Sequence, residues 1–154
     1  MFQGQLAGIF VSAKKGADLQ SIDSVEAIAG RGLVGDRYFA KEGTFSDKDG
    51  PDREVTLIEE EALAGLAREY EITLLPAQAR RNLLTRGVPL NHLVGQTFRV
   101  GDVVLRGLRL CEPCGHLQKL TRVGVLKGLI HRGGVRAQIV QGGTLHIGAA
   151  ITAE

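Results

Sequence analysis

The stretch Thr97-Phe98-Arg99-Val100-Gly101-Asp102-Val103-Val104-Leu105-Arg106-Gly107-Leu108-Arg109-Leu110 decides the fold class. Two runs rich in branched apolar residues flank Gly101-Asp102, a dipeptide suited to tight turns, so the segment reads as a β-hairpin. In a flat strand Arg106 and Arg109 would face opposite ways, and Gly107 between them marks a bulge. Working outward, Gln5 to Val11, Val25 to Ala29, Glu54 to Ile58, Val135 to Val140, Thr144 to Ile147 and Ala149 to Thr152 read as further short strands. Glu59 to Tyr70 is the clearest helix. Three leading glutamates suit the positive end of its dipole, and Leu63, Leu66, Ala67 and Tyr70 repeat at helical spacing as a core stripe. His116 to His131 is partly helical. The polar stretch Phe39 to Asp52, with Asp47, Asp49 and Asp52, lacks the spacing of a calcium loop and reads as a mobile surface loop.

The pattern predicts roughly eight to ten short strands and two or three helices, without regular strand–helix alternation, so a doubly wound parallel sheet is excluded. The expected fold is mostly β (α+β): a compact β-barrel of short strands with a few peripheral helices. The 154 residues, 44% apolar and 23% charged, suit a single domain over residues 1–154 and exclude a disordered chain. Glycine, at 21 residues, is about twice the usual share of roughly 7% and agrees with many turns and bulges. No apolar run approaches the ~20 residues that cross a bilayer, and Met1 to Val11 lacks the basic start and cleavage site of a secretory signal. Two cysteines are too few for a disulfide scaffold, so a reducing cytoplasm is expected.

The net charge of +2 hides an asymmetry. Residues 1–79 carry 8 Lys/Arg against 14 Asp/Glu; residues 80–154 carry 11 against 3, and nine of those 11 cations are Arg. Arginine binds phosphate or carboxylate with two parallel donors, so the second half is equipped to hold an anion, unless it is only a basic face balanced by an acidic one. Nucleic acid is a poor partner for it: with no Trp and seven aromatics the chain lacks stacking platforms.

The strongest local feature is Cys111-Glu112-Pro113-Cys114, followed by Gly115 and His116. A zinc site would need two more ligands, and no second C-x-x-C or paired histidines exist. Thiol–disulfide exchange is a second possibility, although the surroundings are not thioredoxin-like. A third is a single functional thiolate, soft ligand or nucleophile, with Pro113 fixing the approach to Cys114 and Gly115 leaving space beside it. Two small buried hydrophobes are the bland alternative. Candidate partners are Arg80-Arg81-Asn82, where Arg80 and Asn82 share a face if the segment is a regular strand and Arg81 joins Asn82 only in a turn. Asn82 brings amide groups suited to a heterocycle edge. Arg37 after Asp36 and Arg136 after Gly133-Gly134 are further candidates. Gly30-Arg31-Gly32-Leu33-Val34-Gly35 resembles a phosphate loop only loosely, since no clear helix follows.

Taken in order, Gly32-Leu33-Val34-Gly35-Asp36-Arg37, Arg81-Asn82-Leu83, Arg86-Gly87-Val88-Pro89-Leu90 with Val94-Gly95, Phe98-Arg99-Val100-Gly101-Asp102, Leu110-Cys111-Glu112-Pro113-Cys114 and Arg136-Ala137-Gln138-Ile139-Val140-Gln141-Gly142-Gly143 resemble the MOSC domain, the module named for the C-terminal part of molybdenum-cofactor sulfurases. The resemblance spans about residues 5–152. It implies a strand-rich barrel that binds the molybdenum cofactor (molybdopterin) or handles its sulfur. It places Cys114 as the functional sulfur and metal ligand, and Arg37, Arg81, Asn82, His116 and Arg136 as cofactor contacts. The sequence lacks the aminotransferase-like domain of the sulfurases and the N-terminal extension of the amidoxime-reducing members, which implies a stand-alone member. The resemblance leaves a plain cofactor carrier open and implies two activities beyond it: a small molybdenum-dependent oxidoreductase acting on N-hydroxylated small molecules, or a sulfur carrier with a persulfide on Cys114. With no Rossmann fingerprint and no iron–sulfur cysteine set, the former needs a separate electron-donor protein, and the latter a sulfur donor. Neither a membrane nor a nucleic acid is an expected partner.

Overall fold

A computed structural model of the protein describes residues 2–14, 16–40, 50–121 and 123–154, with only the backbone described at His116. In chain order the strands are β1 (Gln3–Val11), β2 (Gln20–Ile22), β3 (Ser24–Ile28), β4 (Gly32–Leu33), β5 (Val55–Glu59), β6 (Leu83–Arg86), β7 (Thr97–Val100), β8 (Val103–Leu110), β9 (Val135–Gln141), β10 (Gly143–His146) and β11 (Ala150–Ala153). The helices are α1 (Arg37–Ala40), α2 (Glu60–Tyr70), α3 (Gly115–Leu120) and α4 (Val125–Gly128), with short 3₁₀ turns between them. Of the expected loop Phe39 to Asp52, residues 41–49 lie outside the described residues.

Seven strands close into a barrel. The ring runs β11, β7, β8, β9, β5, β6 and β1, and β1 returns to β11 through Gln3–Thr152 and Gln5–Ala150 pairs. Closure removes the free edges that an open sheet would expose. The β7–β8 hairpin turns at Gly101, whose φ of 59° suits glycine. The β8–β9 register shifts between Gly107 and Arg109, where the sequence places a bulge. A Cβ on Gly107 would strike the Leu93 carbonyl, so the missing side chain lets the Leu93–Val94 segment bridge onto the strand. Only β5 and β6 run parallel among the barrel pairs, and α2 supplies the crossover that a parallel pair requires. β3, β4 and β10 form a separate three-stranded sheet.

Two apolar clusters result. Leu6, Ile9, Leu57, Leu83, Phe98, Leu105, Val135 and Ile139 fill the barrel. Outside it, Ile58 and Leu84 pack with Leu63 and Leu66 of α2, Leu117 of α3 and Val125 of α4. The buried face of α2 is Ala62, Leu63, Gly65 and Leu66; Ala67 and Tyr70, expected in the core stripe, are exposed. On this buried face α4 approaches the helix closely, with Gly128 against Leu66. No described helix is long and apolar enough to cross a membrane.

Candidate functional site

Strands β8 and β9 and the turn before β6 end together at one side of the barrel, and α1 lies beside them. On β9, Val135 and Ala137 belong to the barrel core, so alternation turns Arg136 to the outer face. Arg37, Tyr38, Arg80, Arg81, Arg136, Cys111, Cys114, Glu112, Gly16 and Leu117 line a cleft of about 530 Å³, counting its opening to solvent. Four guanidinium groups and two free thiols therefore share one small volume. Among the described residues no cluster of three or more His, Cys, Asp or Glu could hold a metal ion, so the zinc alternative finds no ligand set there.

Each arginine is held differently. Arg37 forms a buried pair with Asp36 at 3.2 Å, and its other terminal nitrogen donates to the Arg80 carbonyl. Asp36 is fully buried and also accepts from the backbone N–H groups of Ser12 and Tyr38, so it fixes the start of α1 and the Arg37 side chain together. A buried, hydrogen-bonded pair of this kind is unlike an exposed one, which stabilises little. Arg81 donates to the carbonyls of Gly133, Cys111 and Ala79, tying the cysteine loop to the entry of β9. Its charge faces the cleft while its donors serve the scaffold. Arg80 has the left-handed φ of 59° and donates to the Ala17 carbonyl. Burial, and then the neighbouring Arg37 charge, lower its pKa below the usual arginine value. The same residue, with Gly16, walls an adjoining cleft that includes Asp18, Leu19 and Gln78.

Arg136 is 8% exposed and donates from Nη1 to the Tyr38 hydroxyl at 3.3 Å and to the Asp52 carbonyl at 3.2 Å. Burial works against its charge, but interactions with Cys111, Tyr38 and Asp52 outweigh that and raise its pKa. Its Nε is buried with no hydrogen-bond partner among the described residues. A buried unpaired donor on a charged group is costly, and a ligand acceptor would satisfy it.

Cys111 is buried at the end of β8, its N–H donating to Gly134 and its carbonyl accepting from Arg81. Cys114 is half-buried, immediately before α3, and packs partly on Leu117 and its neighbours. It remains in the cleft with Arg37, Arg81 and Arg136 rather than sealed in the apolar cluster. Asn82 does not line the cleft. It is fully buried, accepting from Thr56 N–H and Oγ1 and donating to the Phe10 carbonyl, so its amide joins β1, β5 and β6. The expected sharing of a face by Arg80 and Asn82 fails because Arg80 ends a 3₁₀ turn in a left-handed conformation, where strand alternation does not apply. The His116 side chain lies outside what the structure describes. Tyr38 is a cleft residue without a distinctive sequence pattern, and Glu112 enters the cleft within the cysteine motif.

A seven-stranded barrel carrying an external cationic cleft with a cysteine loop is the class that fold and site define. A family model described as the MOSC domain matches residues 45–152, and the chain belongs to the MOSC domain family, which is associated with molybdenum-cofactor binding. No curated protein matches the chain in sequence. Among solved structures, the YuaD protein from Bacillus subtilis is similar at a TM-score of 0.79 and 18% identity, covering 98% of this chain and 97% of that one. YiiM from Geobacillus stearothermophilus gives 0.73 at 16% identity, over 98% and 75% of the two chains. YiiM from Escherichia coli gives 0.69 at 20%, over 100% and 70%. At these identities the likeness speaks to the fold.

The cofactor that the family implies is anionic and contains a metal that accepts a soft donor. Its requirements are guanidinium donors with spare N–H groups and a reachable thiol. The unpartnered Nε of Arg136 and the half-buried Cys114 supply both. The residues fit the group.

Proposed function

We propose that the protein binds the molybdenum cofactor in this cleft, with Cys114 as thiolate ligand, and reduces N-hydroxylated small molecules with electrons from a separate donor protein. One observation carries the reading: two free thiols and four arginines line one cleft, and one of those arginines holds a buried donor with no partner.

The roles divide by geometry. Arg136 receives an anionic oxygen at Nε. Arg37, oriented by Asp36, and Arg80 add charge to the cleft lining. Arg81 holds the carbonyls of Cys111 and Gly133, so the cysteine loop keeps its position when a ligand enters. Leu117 and the apolar residues beneath Cys114 exclude water from one side of its sulfur. The bound cofactor would supply two-electron redox chemistry that no side chain here provides. Protein purified from cells that make the cofactor should carry molybdenum and pterin, measured by elemental and fluorescence analysis. Protein with neither defeats the reading.

The neighbouring Cys111 favours a second reading, a sulfur carrier. A persulfide on Cys114 would yield hydrosulfide on attack by the Cys111 thiolate, leaving a Cys111–Cys114 disulfide, so electrons and atoms balance. Reductant-removable sulfur on Cys114 by mass spectrometry, in protein free of molybdenum, would favour it.

A further inference from the structure

Tyr38 lies in the same cleft and has no role in the reading above. Its backbone N–H donates to Asp36 at 3.3 Å, and its side chain is buried. Two cations lie over the ring, with the Arg37 guanidinium carbon 4.8 Å and that of Arg136 5.9 Å from its centroid. These contacts are within the range where a cation is attracted to an aromatic face, so both guanidinium groups favour the ring's position. The phenol oxygen accepts from Arg136 Nη1, which occupies one of its lone pairs. A phenol also has one proton to donate, and among the described residues that proton has no acceptor. The Arg136 guanidinium that occupies the Tyr38 oxygen also carries the unpartnered Nε, and both residues line the cleft.

We propose that Tyr38 is a ligand-binding residue: its hydroxyl donates to the same deprotonated oxyanion group of the ligand that Arg136 Nε holds. Arg136 determines the direction of that donation, because a phenol that accepts from a guanidinium must aim its own proton elsewhere. Two donor hydrogens without partners of their own among the described residues, on Tyr38 and on Arg136 Nε, favour a group that only accepts, a fully ionised phosphate-like oxygen rather than a hydroxyl or a neutral amide. The proposal rests on the anion-binding half of the reading above and not on the thiolate half.

The chain has two tyrosines and no tryptophan, so in Tyr70→Phe protein the near-ultraviolet absorption of phenol comes from Tyr38 alone. Tyr70 is exposed on α2 and lies outside the cleft lining. Inorganic phosphate is the probe, titrated into cofactor-free protein by difference absorption and by calorimetry. The expected result is a saturable change in the Tyr38 band, and phosphate binding weakened about tenfold or more in Tyr38→Phe, the usual loss for one hydrogen bond to a charged group. Arg136→Lys, which keeps the charge but loses Nε, weakens phosphate similarly. Equal phosphate affinity in Tyr38→Phe and its parent, or a Tyr38 band that ignores phosphate, overturns the proposal. Cofactor content does not enter this readout. Failure to find molybdenum would end the functional reading and leave the phosphate result standing.

Discussion

Replacing Asn82 with alanine should destabilise the fold and leave anion binding by the folded protein intact. The side chain satisfies buried groups on two neighbouring strands: its Oδ1 accepts from Thr56 N–H at 3.0 Å and from Thr56 Oγ1 at 3.1 Å, and its Nδ2 donates to the Phe10 carbonyl at 3.1 Å. Thr56 Oγ1 would still accept from the Asn82 backbone N–H, so the hydroxyl keeps one partner. Thr56 N–H and the Phe10 carbonyl would lose theirs. At about 1–3 kcal/mol for each buried group left unsatisfied, the loss is about 2–6 kcal/mol. Against a typical domain stability of roughly 5–15 kcal/mol, the change is large enough to measure by urea unfolding. Phosphate affinity, measured under conditions where the variant is folded, should match wild type. A loss below about 1 kcal/mol, or normal stability with weakened phosphate binding, would refute the assignment of Asn82 to the scaffold.

Arg81→Lys keeps a charge but cannot reach the Gly133, Cys111 and Ala79 carbonyls together. It should cost about 2 kcal/mol in urea unfolding and speed alkylation of the buried Cys111; unchanged alkylation would show that Arg81 does not anchor the cysteine loop. Glu54 is buried, and burial raises its pKa, although backbone donors from Ile139 and Gly30 oppose the rise. A carboxyl with a raised folded pKa binds more protons folded than unfolded, so its contribution to stability falls as pH rises above the unfolded value of about 4.3. Both donors meet the same oxygen, Oε1, which an amide retains. Glu54→Gln should therefore remove that decline in unfolding midpoints measured between about pH 4 and 7, and an unaltered pH slope would contradict the shift.

The barrel could be read wherever strands are long and turns are marked. Thr97 to Leu110 shows both strands, the Gly101-Asp102 turn and the Gly107 irregularity, because alternation and glycine report backbone geometry locally. β2 and β4, three and two residues long, escaped the sequence because such short runs show no period. The exposure of Ala67 and Tyr70 on α2 escaped it as well, since which part of a helix face is covered depends on its tertiary neighbours. At the site, Cys114, Arg37, Arg81 and Arg136 come from four separated segments, and the structure brings all four to one cleft. Asn82 turned inward because the left-handed Arg80 shifts the phase of alternation at the entry to β6. Arg80 itself entered the cleft by the same turn. Tyr38 gave no sequence signal, because one tyrosine after an arginine matches many surface turns.

The most direct measurement is the molybdenum and pterin content of wild-type protein and of Cys114→Ser, made side by side in cells that supply the cofactor and shown to be equally folded. Metal and pterin in wild type, with the metal lost or sharply reduced in the variant, is the predicted result. Equal metal in both proteins, or none in either, would contradict a cofactor held through the sulfur of Cys114.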